Sequence, residues 1–372
     1  MQLIKSKEKI GNILFIAAIV IELIIMMTDH MSSFTLPLRG RWAQLAFVLF
    51  GCKILTTRYS IKQWITIGVM AIIGTISYFT MGDEFVLRAA VMVFAAKDID
   101  RELIYRIIFW GAAIGSVIII ILSIAGVAGV MYDIRDYGRE GIELEKRWCL
   151  GFNHANNVHC MLWYLVAMNV SLRNDKLKIY DYVVMLLADV LLYLLTDSKT
   201  GLIAVALVVA ASGLNKIFKS LKTMKWPYIA GGLTVGICLA LTIIGSKYSC
   251  FESRFTAYLD RFLNQRLNMC HDYANLGEWK LFPEARTLGK AVDNGLASFA
   301  YLYGIVMLII VIGAILFLVW KAYKEKSIIL LALTVTCTYV WFMESTFIIN
   351  TSLLCMMILI LLFDRWYISE SI

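Results

Sequence analysis

An all-α polytopic membrane protein of about twelve helices is predicted by three features of this sequence. Its 372 residues are 60% hydrophobic and only 17% charged, with a mean hydropathy of +0.75. A water-soluble chain this apolar could not cover its surface with polar groups. The apolar residues fall into runs of roughly the length that carries a helix across ~30 Å of hydrocarbon. Finally, Lys and Arg recur in alternate loops.

The expected spans are 10–27, 41–56, 64–80, 84–97, 103–130, 153–171, 179–196, 200–214, 226–245, 293–320, 327–343 and 350–363. The fourth and eighth are short, and the fifth is long enough to tilt or break. Residues 10–27 follow Lys5, Lys7 and Lys9 but lack a small-residue cleavage site before Asp29 and His30, so they read as a first span and not as a signal peptide. Alternate loops carry Lys53, Arg58 and Lys62; Lys97, Arg101 and Arg106; Arg173, Lys176 and Lys178; Lys216, Lys219, Lys222 and Lys225; and Lys321, Lys324 and Lys326. With the N-terminal lysines and Arg365 these all fall on one side, which the positive-inside rule makes the cytoplasm. Both termini are then cytoplasmic, and residues 1–372 form one multi-pass domain of the plasma membrane.

Charge and cysteine use exclude other classes. The net charge of +8 is a topology signal, and no basic stretch interleaved with aromatics points to nucleic acid. Eight cysteines show no CxxC pair. Cys52, Cys160, Cys238, Cys337 and Cys355 fall in or at spans, while Cys149, Cys250 and Cys270 are expected outside, without disulfide spacing. No HExxH, His/Cys metal spacing, P-loop or GxGxxG is present, so no metal or cofactor is expected.

Two long polar loops lie on the outer side, residues 131–152 after span five and 246–292 after span nine. The first ends in Arg147-Trp-Cys-Leu-Gly151-Phe152-Asn153-His154-Ala-Asn156-Asn157, which enters span six. If helical, His154, Asn157 and Val158 share a face; capping and interfacial anchoring are the plainer role. A second cluster is the outer hairpin Thr196-Asp197-Ser198-Lys199-Thr200-Gly201, where Asp197 or Ser198 caps the next helix and Lys199 is the cation. The third spans Arg254, Arg261, Arg266, His271 and Asp272, then Asp293-Asn294-Gly295, where Asp293 or Asn294 is again a good N-cap. As a loop arginine, Arg266 is expected to contribute little to helix packing. Asp98-Ile-Asp100 has the form of a metal–nucleotide motif but lies among cytoplasmic basic residues. Glu22 and Asp189 lie within spans and are expected to face the interior, paired or wet.

At these residues the chain resembles the bacterial O-antigen and capsular polysaccharide polymerase (Wzy-like) family, related to O-antigen ligases. Arg147 through Asn156 is similar to that family's Arg-x-x-x-Gly-Phe-x-His-x-Asn entry to a central span. The hairpin at Lys199, Arg266 ahead of Leu281-Phe282, Asp293-Asn294 and Tyr303-Gly304 follow in the same order. Lys199 replaces the family's Arg, and Pro283 stands where Gly often follows Leu-Phe. The resemblance covers the C-terminal 60% of the chain and implies a GT-C-like fold. It implies a metal-independent, inverting glycosyltransferase with its active site on the extracytoplasmic face. A hydroxyl of a lipid-linked repeat unit attacks the anomeric carbon of a glycan held on undecaprenyl pyrophosphate. A flippase and a chain-length regulator are the partners so implied.

The residue chemistry is compatible with this. Without a metal, fixed cations must meet the charge on a departing pyrophosphate, and Arg147, Lys199 and Arg266 are the candidates. His154, His271 and Asp293 are candidate bases for the acceptor hydroxyl. Asn153, Asn156, Arg254, Asn294 and Glu344 are candidate substrate contacts. A lipid-linked oligosaccharide flippase is the competing class. Against it, only Pro37, Pro227 and Pro283 are available to break helices, all at span ends or in loops. A glycan ligase would share fold and chemistry and differ only in its acceptor.

Overall fold

A computed structural model describes residues 2–82, 84–135, 144–249, 252–284 and 293–345. Among them are thirteen α-helices and one two-stranded sheet. The chain is an all-α polytopic membrane protein, with seven helices among the described residues long and apolar enough to cross a bilayer. The predicted segments from 10–27 to 327–343 each coincide with a helix; 350–363 lies outside the described residues.

Two compact units are present. The first comprises residues up to Arg58 and Phe94–Ile217; the second comprises Tyr59–Val93 and the chain from Phe218.

In the first unit, α1 (Gln2–Asp29) lies along α2 (Arg39–Thr56), with Phe15 and Phe50 meeting edge to face at 5.5 Å. The α5 helix (Arg101–Ile124) approaches α1 through Gly111 and Gly115, four residues apart. A Cβ at either glycine would come within 2.9 Å or less of the Leu23 or Met27 side chain, which would have to shift to admit it. Asp100 caps α5 by accepting from the Glu102 amide, a structural role for the Asp98-Ile-Asp100 segment. Span five was expected to reach residue 130, but α5 stops at Ile124, where Gly126 and Gly129 adopt positive φ. Within the 131–152 loop a hairpin forms instead, β1 (Tyr132–Arg135) pairing antiparallel with β2 (Glu145–Trp148). Then α6 (Ala155–Arg173), α7 (Ile179–Thr196) and α8 (Lys199–Ile217) pack on one another.

In the second unit, α3 (Ile61–Met81) meets α4 (Phe85–Ala95) where Gly74 faces the Leu87 backbone. α9 (Trp226–Lys247) packs against α12 (Gly295–Lys324) and α13 (Ile328–Met343). The 246–292 segment is not a plain loop. It contains α10 (Arg254–Phe262) and α11 (Arg266–Leu276), and α11 lies against α9 and α12.

The paucity of proline argued against broken helices, yet α12 is broken at Gly304, with φ 84° and ψ 166°. The break is possible because partners outside the helix take the freed amides. Ile305 N donates to Lys280 O (2.9 Å) and Val306 N to Leu281 O (3.1 Å). A side chain at Gly304 would come within 2.8 Å of Leu281 O.

Candidate functional site

Each unit assembles its own group of the predicted residues. In the first unit, Arg147 leaves β2 and is buried. Its Nε donates to Thr196 O (2.6 Å) and its Nη2 to Asn156 Oδ1 (2.7 Å). Beneath it, His159 of α6 is fully buried between Asp189 Oδ1 (Nε2, 2.7 Å) and Thr196 Oγ1 (Nδ1, 3.2 Å). The Gly201 backbone lies directly on the His159 ring, leaving no room for a side chain. Arg147, His159 and Gly201 therefore fasten the 196–201 hairpin from three directions. Asp197 turns it in the left-handed region (φ 47°) as the C-cap of α7. Lys199 is held exposed on the first turn of α8, where the helix dipole adds to its positive field.

His154 is extended, not helical, so it shares no helix face with Asn157. It caps α6, its Nδ1 accepting from the Asn156 amide at 3.1 Å. Asn153 joins this turn to the end of α1, donating from Nδ2 to Asp29 O (3.2 Å) and accepting from Asn157 Nδ2 (2.6 Å). Asp29 itself holds Arg39 with both carboxylate oxygens (2.8 and 2.7 Å). At the same turn, burial pushes the His30 imidazole below its ordinary range, against the opposing pull of Asp29.

The second unit brings together Arg266, Asp293 and Glu344, from three segments far apart in sequence. Arg266 opens α11 and is 2% exposed, contrary to its expectation as a loop residue. Its Nη2 lies 3.3 Å from Asp293 Oδ2 and 3.3 Å from Glu344 Oε1. Glu344 is buried, whereas the Asp293 side chain is 34% exposed and accepts from Ser345 Oγ at 3.3 Å. Both contacts are longer than the 2.7–2.9 Å of a tight charge-assisted bond. The rest of the guanidinium is poorly occupied: Nη1 meets only the Met269 thioether, and Nε has no acceptor among the described residues.

Asn294 caps α12 through Oδ1, which accepts from Ala297 N at 2.9 Å. Its buried Nδ2 has no acceptor among the described residues, and His271 Nδ1 on α11 has no partner among them either. An amide N–H such as Asn294 Nδ2 costs about 1–3 kcal/mol when left unmet; an oxygen-rich ligand would supply the acceptor. Arg254 stands apart from this group, exposed on α10.

In the same unit, α9, α11 and the second half of α12 bound an apolar groove of about 830 Å³. Leu239, Ile243, Leu308 and Ile312 line it, together with Lys247 and Glu278. Cys270, expected on an outer loop, is buried in α11, and burial followed by the charge of Asp260 pushes its thiol up. Cys149 is buried as well; Cys52, expected in or at a span, lies in α2 with its side chain exposed. Among the described residues, no three His, Cys, Asp or Glu side chains are grouped as metal ligands.

His159 and Asp189 were visible in the sequence without being joined to a site. Their signal is an ionisable pair within apolar spans, separated by thirty positions. Arg88 of α4, buried and 3.2 Å from Glu84, was missed altogether. Comparison with protein-family models, with characterised proteins and with solved structures finds no match to this chain.

Proposed function

We propose that this protein is a glycosyltransferase of the plasma membrane that polymerises lipid-linked oligosaccharides. It takes a growing glycan from an undecaprenyl pyrophosphate carrier and adds it to a lipid-linked repeat unit at the extracytoplasmic face. The observation that carries the reading is the meeting of Arg266, Asp293 and Glu344 beside donors on Arg266 and Asn294 that find no acceptor among the described residues. Of these residues, Arg266, Asp293 and Asn294 belong to the family resemblance, and Arg266 is also a cation that the leaving-group chemistry asks for.

In this reading the acceptor hydroxyl oxygen forms a bond to the anomeric carbon as the bond from that carbon to the pyrophosphate breaks. The hydroxyl proton passes to a carboxylate. Asp293 is the better of the two acids because it is the more open. Arg266 meets the charge that grows on the departing pyrophosphate, through the guanidinium edge that no oxygen among the described residues occupies. Glu344, buried against Nη2, aims that guanidinium. Asn294 Nδ2 is suited to a sugar or phosphate oxygen, and the apolar groove to part of a prenyl chain.

A lipid-linked oligosaccharide flippase is the second reading, and the break of α12 at Gly304 favours it, since interrupted helices recur at transporter sites. One experiment separates the two. The purified protein is reconstituted with lipid-linked repeat units as the only substrate, and product length is read on a gel. Long glycan from the natural chain, lost in Asp293→Asn and Arg266→Lys but kept in Arg261→Ala, is the expected result. Repeat units moved between leaflets without elongation would replace this reading with the flippase.

A further inference from the structure

α10 is short, exposed and two-faced, and its orientation is fixed. Asp260 is buried on its inner side and accepts from the amides of Leu267 (2.8 Å) and Asn268 (3.0 Å), which bolts α10 to the first turn of α11. Helical spacing puts Phe255, Tyr258 and Phe262 on the opposite side. These three rings are 73%, 72% and 76% exposed. Arg254 and Arg261, also exposed, flank the aromatic stripe along one edge.

The height of this helix follows from its neighbours. Gly245 is in the last turn of the span α9, and a Cβ there would come within 2.9 Å of Leu267 O and 3.0 Å of the Cys270 side chain. The start of α11 therefore packs where α9 leaves the hydrocarbon. Tyr273 of α11 meets Tyr301, in the second turn of α12, at 5.7 Å. α10, bolted to the start of α11, is thereby held at the level of the span ends. At that level, a row of aromatics edged by arginines matches the boundary between headgroups and acyl chains.

We propose that α10 lies in the interfacial layer of the bilayer, with Phe255, Tyr258 and Phe262 inserted among the acyl chains and Arg254 and Arg261 on anionic lipid phosphates. This does not depend on the glycosyltransferase reading; it needs only that α9 and α12 cross the membrane. Arg254, a candidate substrate contact by sequence, becomes a contact to lipid. The chemistry of the surface favours lipid over protein, because exposed arginines line an exposed aromatic stripe on one side.

A fluorescent non-canonical residue bearing a dansyl group, placed at position 258 of the otherwise natural chain, tests this in vesicles of phosphatidylcholine with and without phosphatidylglycerol. Lipids brominated high on the acyl chain should quench it strongly and aqueous iodide weakly. Brominated phosphatidylglycerol should be enriched at the probe over brominated phosphatidylcholine, by about fivefold for each arginine. The enrichment should vanish in Arg254→Gln/Arg261→Gln. Strong iodide quenching would overturn the proposal by showing a water-facing helix. Protection from both quenchers would overturn it in favour of a second copy or a protein partner. Equal quenching by the two brominated lipids in the natural chain would overturn the anionic-lipid contact.

Discussion

Removing Arg266 should unfold as well as inactivate this protein. Arg266 is 2% exposed and Glu344 is 3% exposed, with 3.3 Å between Nη2 and Oε1. Arg266→Ala would remove the guanidinium from one side of a buried pair with the Glu344 carboxylate. Breaking a buried pair from one side costs about 3–5 kcal/mol, a large part of the roughly 5–15 kcal/mol that holds a typical domain together. The contact to Asp293 adds less, under about 1 kcal/mol, because that carboxylate is partly exposed. Asp293→Asn should therefore be nearly silent in stability while abolishing elongation. Replacing both buried partners by apolar residues, as in Arg266→Met/Glu344→Leu, should recover most of the loss, since a well-packed apolar pair is often neutral relative to an ion pair. Activity should not return with it. Unfolding in mixed micelles titrated with a denaturing detergent gives the stabilities, and glycan length in reconstituted vesicles gives the activities. Arg266→Ala within about 1 kcal/mol of the natural protein would refute the burial argument. So would a double variant no more stable than Arg266→Ala.

Three further outcomes follow from close contacts and charge. Gly304→Ala should cost about 1–3 kcal/mol by the same titration, because φ 84°, ψ 166° is a conformation almost confined to glycine; an unchanged midpoint would argue for a continuous α12. Gly201→Ala should cost about 1–3 kcal/mol by crowding the His159 ring, and most of that cost should disappear in a His159→Ala background. A cysteine introduced at exposed Glu252 should react with an impermeant maleimide in intact cells while one at exposed Lys222 stays unlabelled; the reverse pattern would invert the orientation read from the loop lysines.

Much of the fold was legible because membrane helices are written locally. A run of apolar residues must be helical in hydrocarbon, where no water satisfies the backbone, and α7 begins and ends where its run does. Caps were legible for the same local reason: Asn294 accepts from the amide three positions on. Less was legible where a remote partner decides. The α10–α11 pair sits inside a segment read as a polar loop, since short two-faced helices carry too few apolar residues to stand out. The break at Gly304 needed no proline, because carbonyls more than twenty positions earlier accept the orphaned amides. No property of position 266 alone announces its burial, which depends on Glu344 arriving from 78 positions away.

What the sequence by itself determined is the membrane class, the placement of the helices along the chain and the short inventory of cations and acids from which a site can be built. Those are properties of residue type and spacing, and hydrocarbon enforces them segment by segment. The tertiary structure decided which of these residues meet. It joined Arg266 to Asp293 and Glu344, committed Arg147 and His159 to bracing the hairpin that carries Lys199, and turned the aromatic face of α10 outward. Pairings of this kind depend on which faces the helices bury against each other, and a buried charge is tolerated only where that packing brings it a partner.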